Sequence, residues 1–190
     1  LPALARNEIP EEISTIEKAG EIPAWVHLED AIFFFFRQML MLETHQLGSQ
    51  CLFRREPEGL VLVDNVPDSF ALLYECKARK DSCTISADDA RRYKDYVKAK
   101  QFEVKARYRL SLTHFVIISS EFGGDFQAKI EEISLNGVLV SLCPAKELLS
   151  YYDLICSLDF TELRCLDIRR FFRAGLIMSG TRGAGQPNFR

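Results

Sequence analysis

The sequence predicts an α/β fold of the mixed α+β kind, with a central mixed β-sheet flanked by helices. Three observations predict it. Short apolar runs of strand length recur around Leu60–Val63, Phe70–Ala78, Phe115–Ile118 and Val138–Leu142. Longer stretches of helical character separate the later ones. The resulting order is helix, strand meander, then helix–strand–helix–strand–helices, which stacks as a mixed sheet between helical layers.

Each element has its own signal. The first stretch, to about Glu21, is acidic and predicted helical, with Pro10 near a helix start. Trp25 to roughly Glu43 is long and apolar enough for one buried helix, despite the consecutive phenylalanines Phe33 to Phe36. Thr44 to Gly48 is expected to break it. Strands are expected at about 51–54, 60–64 and 70–78, the last two joined by a turn at Pro67-Asp68-Ser69. Ser86-Ala87-Asp88-Asp89 supplies an N-terminal cap and first-turn acids for a helix to about Lys100. Leu110 to Ser119 holds a central strand, and Gly123-Gly124 opens a helix to about Ile133. Gly137 to Leu142 is another strand, and Pro144 to Leu149 starts a helix. Two more helical stretches end near Phe172. From Ser179 the chain is rich in glycine and polar residues and is expected to be disordered. The division is therefore 1–27, an acidic helical segment; 28–178, the main domain; and 179–190, a flexible tail.

At 190 residues the chain suits one sizeable core, and its opening on Leu1 is that expected of a fragment or processed product. The longest apolar run, Ala31 to Leu42, is interrupted by Arg37 and Gln38. It falls short of the about 20 residues that span a bilayer. With no signal-peptide pattern, the expectation is a soluble, cytoplasmic protein without a membrane partner. Its six cysteines form no C-x-x-C pair, so a zinc site is not expected, and several sit within apolar runs and read as buried free thiols in a reducing compartment. His27, His45 and His114 lack any nucleophile signature around them.

The net charge is −3, but the charge is uneven. Leu1 to Ile32 carries seven acids against Arg6 and Lys18, whereas Lys77 to Arg109 carries eleven bases against five acids. A basic stripe of this kind supplies phosphate contacts or simply a solvated helix face. The overall acidity predicts weak DNA binding by this domain alone.

The most informative stretch is 57–77. Pro57-Glu58-Gly59 opens one strand, and Glu75-Cys76-Lys77 closes the next. Strand alternation puts Glu75 and Lys77 on one face, with Tyr74, Cys76 and Ala78 on the other. A hairpin brings Glu58 beside them. Two carboxylates can hold a hard cation such as Mg²⁺, and a lysine there can steer or deprotonate water. An acid-x-lysine pair in a strand is commonly just a surface ion pair. Here the apolar neighbours Ala71, Leu72, Leu73 and Ala78 mark a buried strand, where such charges are rare. Asp64 and Asp68 are alternative acids, but both lie nearer the hairpin tip.

With these elements in place, the chain resembles the cleavage domain of FokI-type IIS restriction endonucleases, within the PD-(D/E)xK nuclease superfamily. The resemblance runs from about Leu28 to Gly180. It takes in Leu28-Glu29, the phenylalanines, and the turn from His45 to Gly48. Pro57-Glu58-Gly59 stands where the family has Pro-Asp-Gly, and Glu75-Cys76-Lys77-Ala78 where it has Asp-x-Lys-Ala. Ala87-Asp88, Arg92-Tyr93, Phe115-Val116, Gly137-Val138-Leu139 and Glu147-Leu148-Leu149 complete the match. One residue departs: Glu58 replaces the family's aspartate, adding a methylene.

The resemblance implies a restriction-endonuclease-like fold and metal-dependent hydrolysis of double-stranded DNA to 5′-phosphate and 3′-hydroxyl ends. It implies Glu58, Glu75 and Lys77 as the catalytic set. Glu58, Glu75 and the backbone carbonyl of Cys76 would hold Mg²⁺, with Mn²⁺ as a substitute. Arg79 and Lys80 are candidates for DNA-backbone contacts. Asp88 and Arg92 would pair across a transient homodimer, although residues four apart also form local helix pairs. Base reading would come from a separate recognition domain or subunit. Two other classes stay open: an inactive interaction module that keeps the fold, and a junction-resolvase-like nuclease selective for branched DNA.

Overall fold

The computed structural model describes residues 24–48, 56–64, 69–79, 82–134, 137–157 and 168–177. The expected N-terminal helix, the strand at 51–54, Lys80, Asp68 and the C-terminal tail lie outside them.

Helix α1 (Ala24–Phe34) runs into a π-helical turn over Phe35–Met39. There the Leu40 N–H donates to the Phe35 carbonyl five residues back, at 3.0 Å. Phe35 and Phe36, neighbours in sequence, are both fully buried. Met41 then takes a left-handed conformation (φ 55°) and turns the chain into β1 (Glu43–Gln46). This corrects the expected break at Thr44 to Gly48. Glu43, the expected helix end, and Thr44-His45-Gln46, expected only to break that helix, instead form an edge strand with Thr44 buried inward.

Strands β2 (Gly59–Val63) and β3 (Phe70–Lys77) form the antiparallel hairpin. Helix α2 (Ala87–Tyr108) follows, with Ser86 and Asp89 closing a reciprocal capping box. It runs eight residues past the expected end at Lys100. Good helix formers continue it, Val104 anchors it in the core, and Arg109 caps it in the left-handed region. Then come β4 (Leu112–Ser119), α3 (Gln127–Ile133), β5 (Leu139–Pro144), α4 (Ala145–Ser157), α5 (Ile168–Phe171) and β6 (Gly175–Leu176). The helix expected from Gly123 starts later, because Gly124 adopts φ 79° and keeps that stretch non-helical.

Among the described residues the strands form one sheet in the order β1-β2-β3-β4-β5-β6. β1, β2 and β3 pair antiparallel, and β3 through β6 pair parallel. Residue alternation sorts the core into two layers. Val61, Leu72, Tyr74, Cys76, Val116 and Ile118 face α1, α4 and α5. Leu60, Leu62, Leu73, Phe115 and Ile117 face α2 and α3. Since β2 runs against β3, its start lies beside the ends of the parallel strands. That edge is where sheets of this kind place their ligands. No described helix is long and apolar enough to cross a membrane.

Candidate active site

Glu75 and Lys77 project from the end of β3 on the α2 side of the sheet, the face shared by Leu73 and Phe115. Gly59 pairs with Tyr74, so extending the antiparallel register by one position sets Glu58 opposite Glu75. Gly59 is required there, because any side chain would overlap the Tyr74 ring lying across it. The Glu58 main chain is fixed as well: the N–H groups of Leu47 and Gly48 donate to its carbonyl at 2.8 and 3.2 Å. A Cβ on Gly48 would stand 2.9 Å from Glu58 Oε2, so Gly48 leaves room for the longer glutamate side chain.

Helix α2 supplies the opposite wall. Asp89, already in the capping box with Ser86, places Oδ1 3.5 Å from Lys77 Nζ and 2.9 Å from Arg92 Nη2. Arg92 Nη2 also lies 3.4 Å from Glu75 Oε1, and Lys77 Nζ lies 3.5 Å from the same oxygen. Both cations sit over the buried Tyr93 ring, at 5.6 Å (Lys77) and 5.2 Å (Arg92). The Ser119 hydroxyl donates to the Lys77 carbonyl at 2.7 Å, holding the strand end from the β4 side.

Burial dominates the electrostatics. Glu75 is 3 % exposed, and its pKa is raised because desolvation outweighs the opposing charges of Lys77 and Arg92. Glu58 is pushed up to about 9, by burial first and then by the charges of Glu75 and Glu29. Glu29, on α1, is pushed up to about 7 by burial and by its neighbours Glu75 and Asp30. Asp89 goes the other way: burial alone would raise it, but the Ser86 hydrogen bonds and the charges of Lys77 and Arg92 hold it low. Carboxylates gathered in this way favour a compensating cation. Glu75 Oε2 is buried and has no hydrogen-bond partner, which fits a metal ligand.

Among the described residues no three His, Cys, Asp or Glu side chains form a ready-made cation cage. A cation held by Glu58 and Glu75 would therefore draw further oxygens from the main chain or solvent. The Cys76 side chain points into the opposite core layer, so only its backbone is available to the site.

The structure thus brings Glu58, Glu75 and Lys77 into one electrostatic cluster. Asp64 stands at the far end of the hairpin, beyond the Val63–Phe70 pair, and accepts from the Ser69 hydroxyl at 2.7 Å. Arg79 is exposed just past β3. Asp88 is exposed and pairs with Arg91 at 2.7 Å, while Arg92 is turned inward to Glu75 and Asp89. Sequence reasoning gave no site role to Glu29 or Asp89. The signal for Glu29 is an acid one residue from Leu28 and three from Ile32 on a buried helix stripe. For Asp89 it is the dual position, cap and first turn facing a strand end.

The fold is a mixed sheet between helices with a charged cluster at its strand ends, and comparison with known families makes it a nuclease domain of the restriction-endonuclease type. The family described as FokI, cleavage domain, matches residues 17–172, and the chain belongs to that family. Among solved structures it is similar to restriction endonuclease FokI, with a TM-score of 0.64 and 20 % identity over 79 % of this chain. FokI bound to DNA gives a TM-score of 0.62 and 21 % identity, again over 79 % of this chain. The chain covers only 28 % and 27 % of those two proteins. No curated protein matches it.

Proposed function

We propose that this domain hydrolyses phosphodiester bonds of double-stranded DNA, leaving 5′-phosphate and 3′-hydroxyl ends, with Mg²⁺ or, in its place, Mn²⁺. One observation carries the reading. The half-buried Glu58 stands opposite the buried Glu75 in the hairpin register, Lys77 Nζ lies 3.5 Å from Glu75 Oε1, and Glu75 Oε2 has no hydrogen-bond partner.

Glu58, Glu75 and the Cys76 carbonyl would hold the ion. When bound, it polarises a phosphate oxygen and lowers the pKa of bound water. The chain's own residues do the rest. Lys77 donates to the attacking water and to the phosphate oxygen on which charge develops, an interaction that strengthens as the transition state forms. Asp89 aims the Lys77 ammonium. Glu29 adds negative potential that favours cation uptake. Arg79, exposed beyond β3, and Lys80 after it contact the DNA backbone.

The domain's net charge of −3 argues against strong DNA binding by itself. Sequence reading therefore falls to a separate domain or subunit, in keeping with its small share of the FokI chain. One such site cuts one strand, so a double-strand break takes a transient homodimer. Cys76, Cys83 and Cys143 are buried free thiols, which suits the cytoplasm.

The test joins the chain to a sequence-specific DNA-binding module and supplies a plasmid with two facing sites. Linear product in Mg²⁺, lost on chelation, is expected. An intact, folded protein that leaves the plasmid uncut in both Mg²⁺ and Mn²⁺ overturns the reading.

A further inference from the structure

A second charged network lies one segment away from the site. Lys100 is the one charged residue among the buried positions of α2, which are otherwise Ala90, Tyr93, Tyr96, Val97 and Val104, and its side chain is only 8 % exposed. Its Nζ stands 2.7 Å from Glu56 Oε2 and 2.6 Å from Glu103 Oε2. Glu103 lies on the same helix and needs no buried lysine to reach it. Glu56 is different: it lies two residues before Glu58, with the buried Pro57 between them. Proline fixes its own φ and stiffens the link.

The Glu58 backbone is therefore held from both sides, by the Leu47 and Gly48 amides on β1's side and by Lys100 through Glu56 on α2's side. Taking an ammonium off the surface is unfavourable unless its partner geometry does something a surface pair does not. Helix α2 would then reach all three segments of the site: Asp89 to Lys77, Arg92 to Glu75, and Lys100 to the chain carrying Glu58.

We propose that Lys100 is a positioning residue that, through its ion pair with Glu56, sets the Glu58 carboxylate against Glu75 for a divalent cation. This rests on the cation reading of the site given above. The role is indirect, as with other groups that orient a metal ligand from behind it.

Calorimetric titration of the full chain with Mn²⁺ alone tests it. Glu56→Gln and Lys100→Met are each expected to weaken Mn²⁺ binding about 10-fold, while Glu103→Gln leaves it unchanged. Glu56 is part-exposed and its amide is isosteric, so Glu56→Gln remains decisive even if Lys100→Met fails to fold. Unchanged Mn²⁺ affinity in folded Glu56→Gln, or equal weakening in Glu103→Gln, overturns the positioning role and leaves the cation site standing. No Mn²⁺ binding by the unsubstituted chain overturns the cation reading itself, and the role of Lys100 with it.

Discussion

Arg92 Nη2 lies 3.4 Å from Glu75 Oε1 within the same chain, while the other oxygen of that carboxylate, Oε2, is buried without a hydrogen-bond partner. The guanidinium is thus part of the site's internal charge balance, whatever else it touches. If Asp88 of one copy and Arg92 of the other also pair across a two-fold axis, Arg92 must turn outward to do so.

That relationship makes the dimer prediction asymmetric. Asp88→Arg or Arg92→Asp alone should suppress double-strand cleavage by placing like charges across the axis. Mixing the two should restore pairing. The Asp88→Arg copy keeps an intact site, but the Arg92→Asp copy has a third acid beside Glu75 and Asp89. The mixture should therefore yield mainly nicked circles, scored on an agarose gel. A mixture that cuts no better than either variant alone removes this helix from the contact.

Glu58 and Gly48 form a matched pair. Glu58→Gln should weaken Mn²⁺ binding, and Glu58→Asp should retain or raise activity. Gly48→Ala should push the Glu58 carboxylate aside, and the shorter Glu58→Asp should rescue the loss, because the crowding is at the glutamate tip. Rates for the two single variants and the double variant check this. Additive losses would show that Gly48 acts elsewhere.

Stability should depend on pH in a direction set by the desolvated acids Glu29 and Glu58. Glu29 and Glu58 have folded pKa values near 7 and 9, above the ordinary 4.5. The folded state therefore holds protons that the unfolded state has released. The stabilisation is fully present below about pH 4.5. It is lost as pH rises through the folded values. Thermal melts without metal should show a falling midpoint between pH 5 and 9. Mg²⁺ should raise the midpoint more at the alkaline end, where it no longer competes with protons.

Gly59→Ala should destabilise the fold by about 1–3 kcal/mol, since the added methyl meets the buried Tyr74 ring and neither strand can move freely. Urea unfolding measures this. A change within experimental error would show that the ring can swing away.

The layers of the fold were legible because β2 to β5 are continuous apolar runs and α2 begins with a clear cap. β1 was not, because an edge strand buries little and its Glu43-Thr44-His45-Gln46 sequence carries no apolar alternation. The end of α2 was missed because its last turns are charged, and Val104 alone marks the buried face there. In the site, Glu58, Glu75 and Lys77 could be placed together because strand alternation and hairpin register are fixed by the backbone. Glu29, Asp89 and Lys100 come from helices on other elements, and only the packing of those helices reveals what they face.

The account centres on Lys77 acting beside the Glu58–Glu75 pair. Its most direct test is plasmid cleavage in Mg²⁺ by the module-fused chain and by its Lys77→Ala variant, with circular dichroism confirming an equal fold. The predicted result is a rate reduced on the order of 10²-fold or more, with Mn²⁺ binding retained. Undiminished cleavage by the folded Lys77→Ala protein would contradict it.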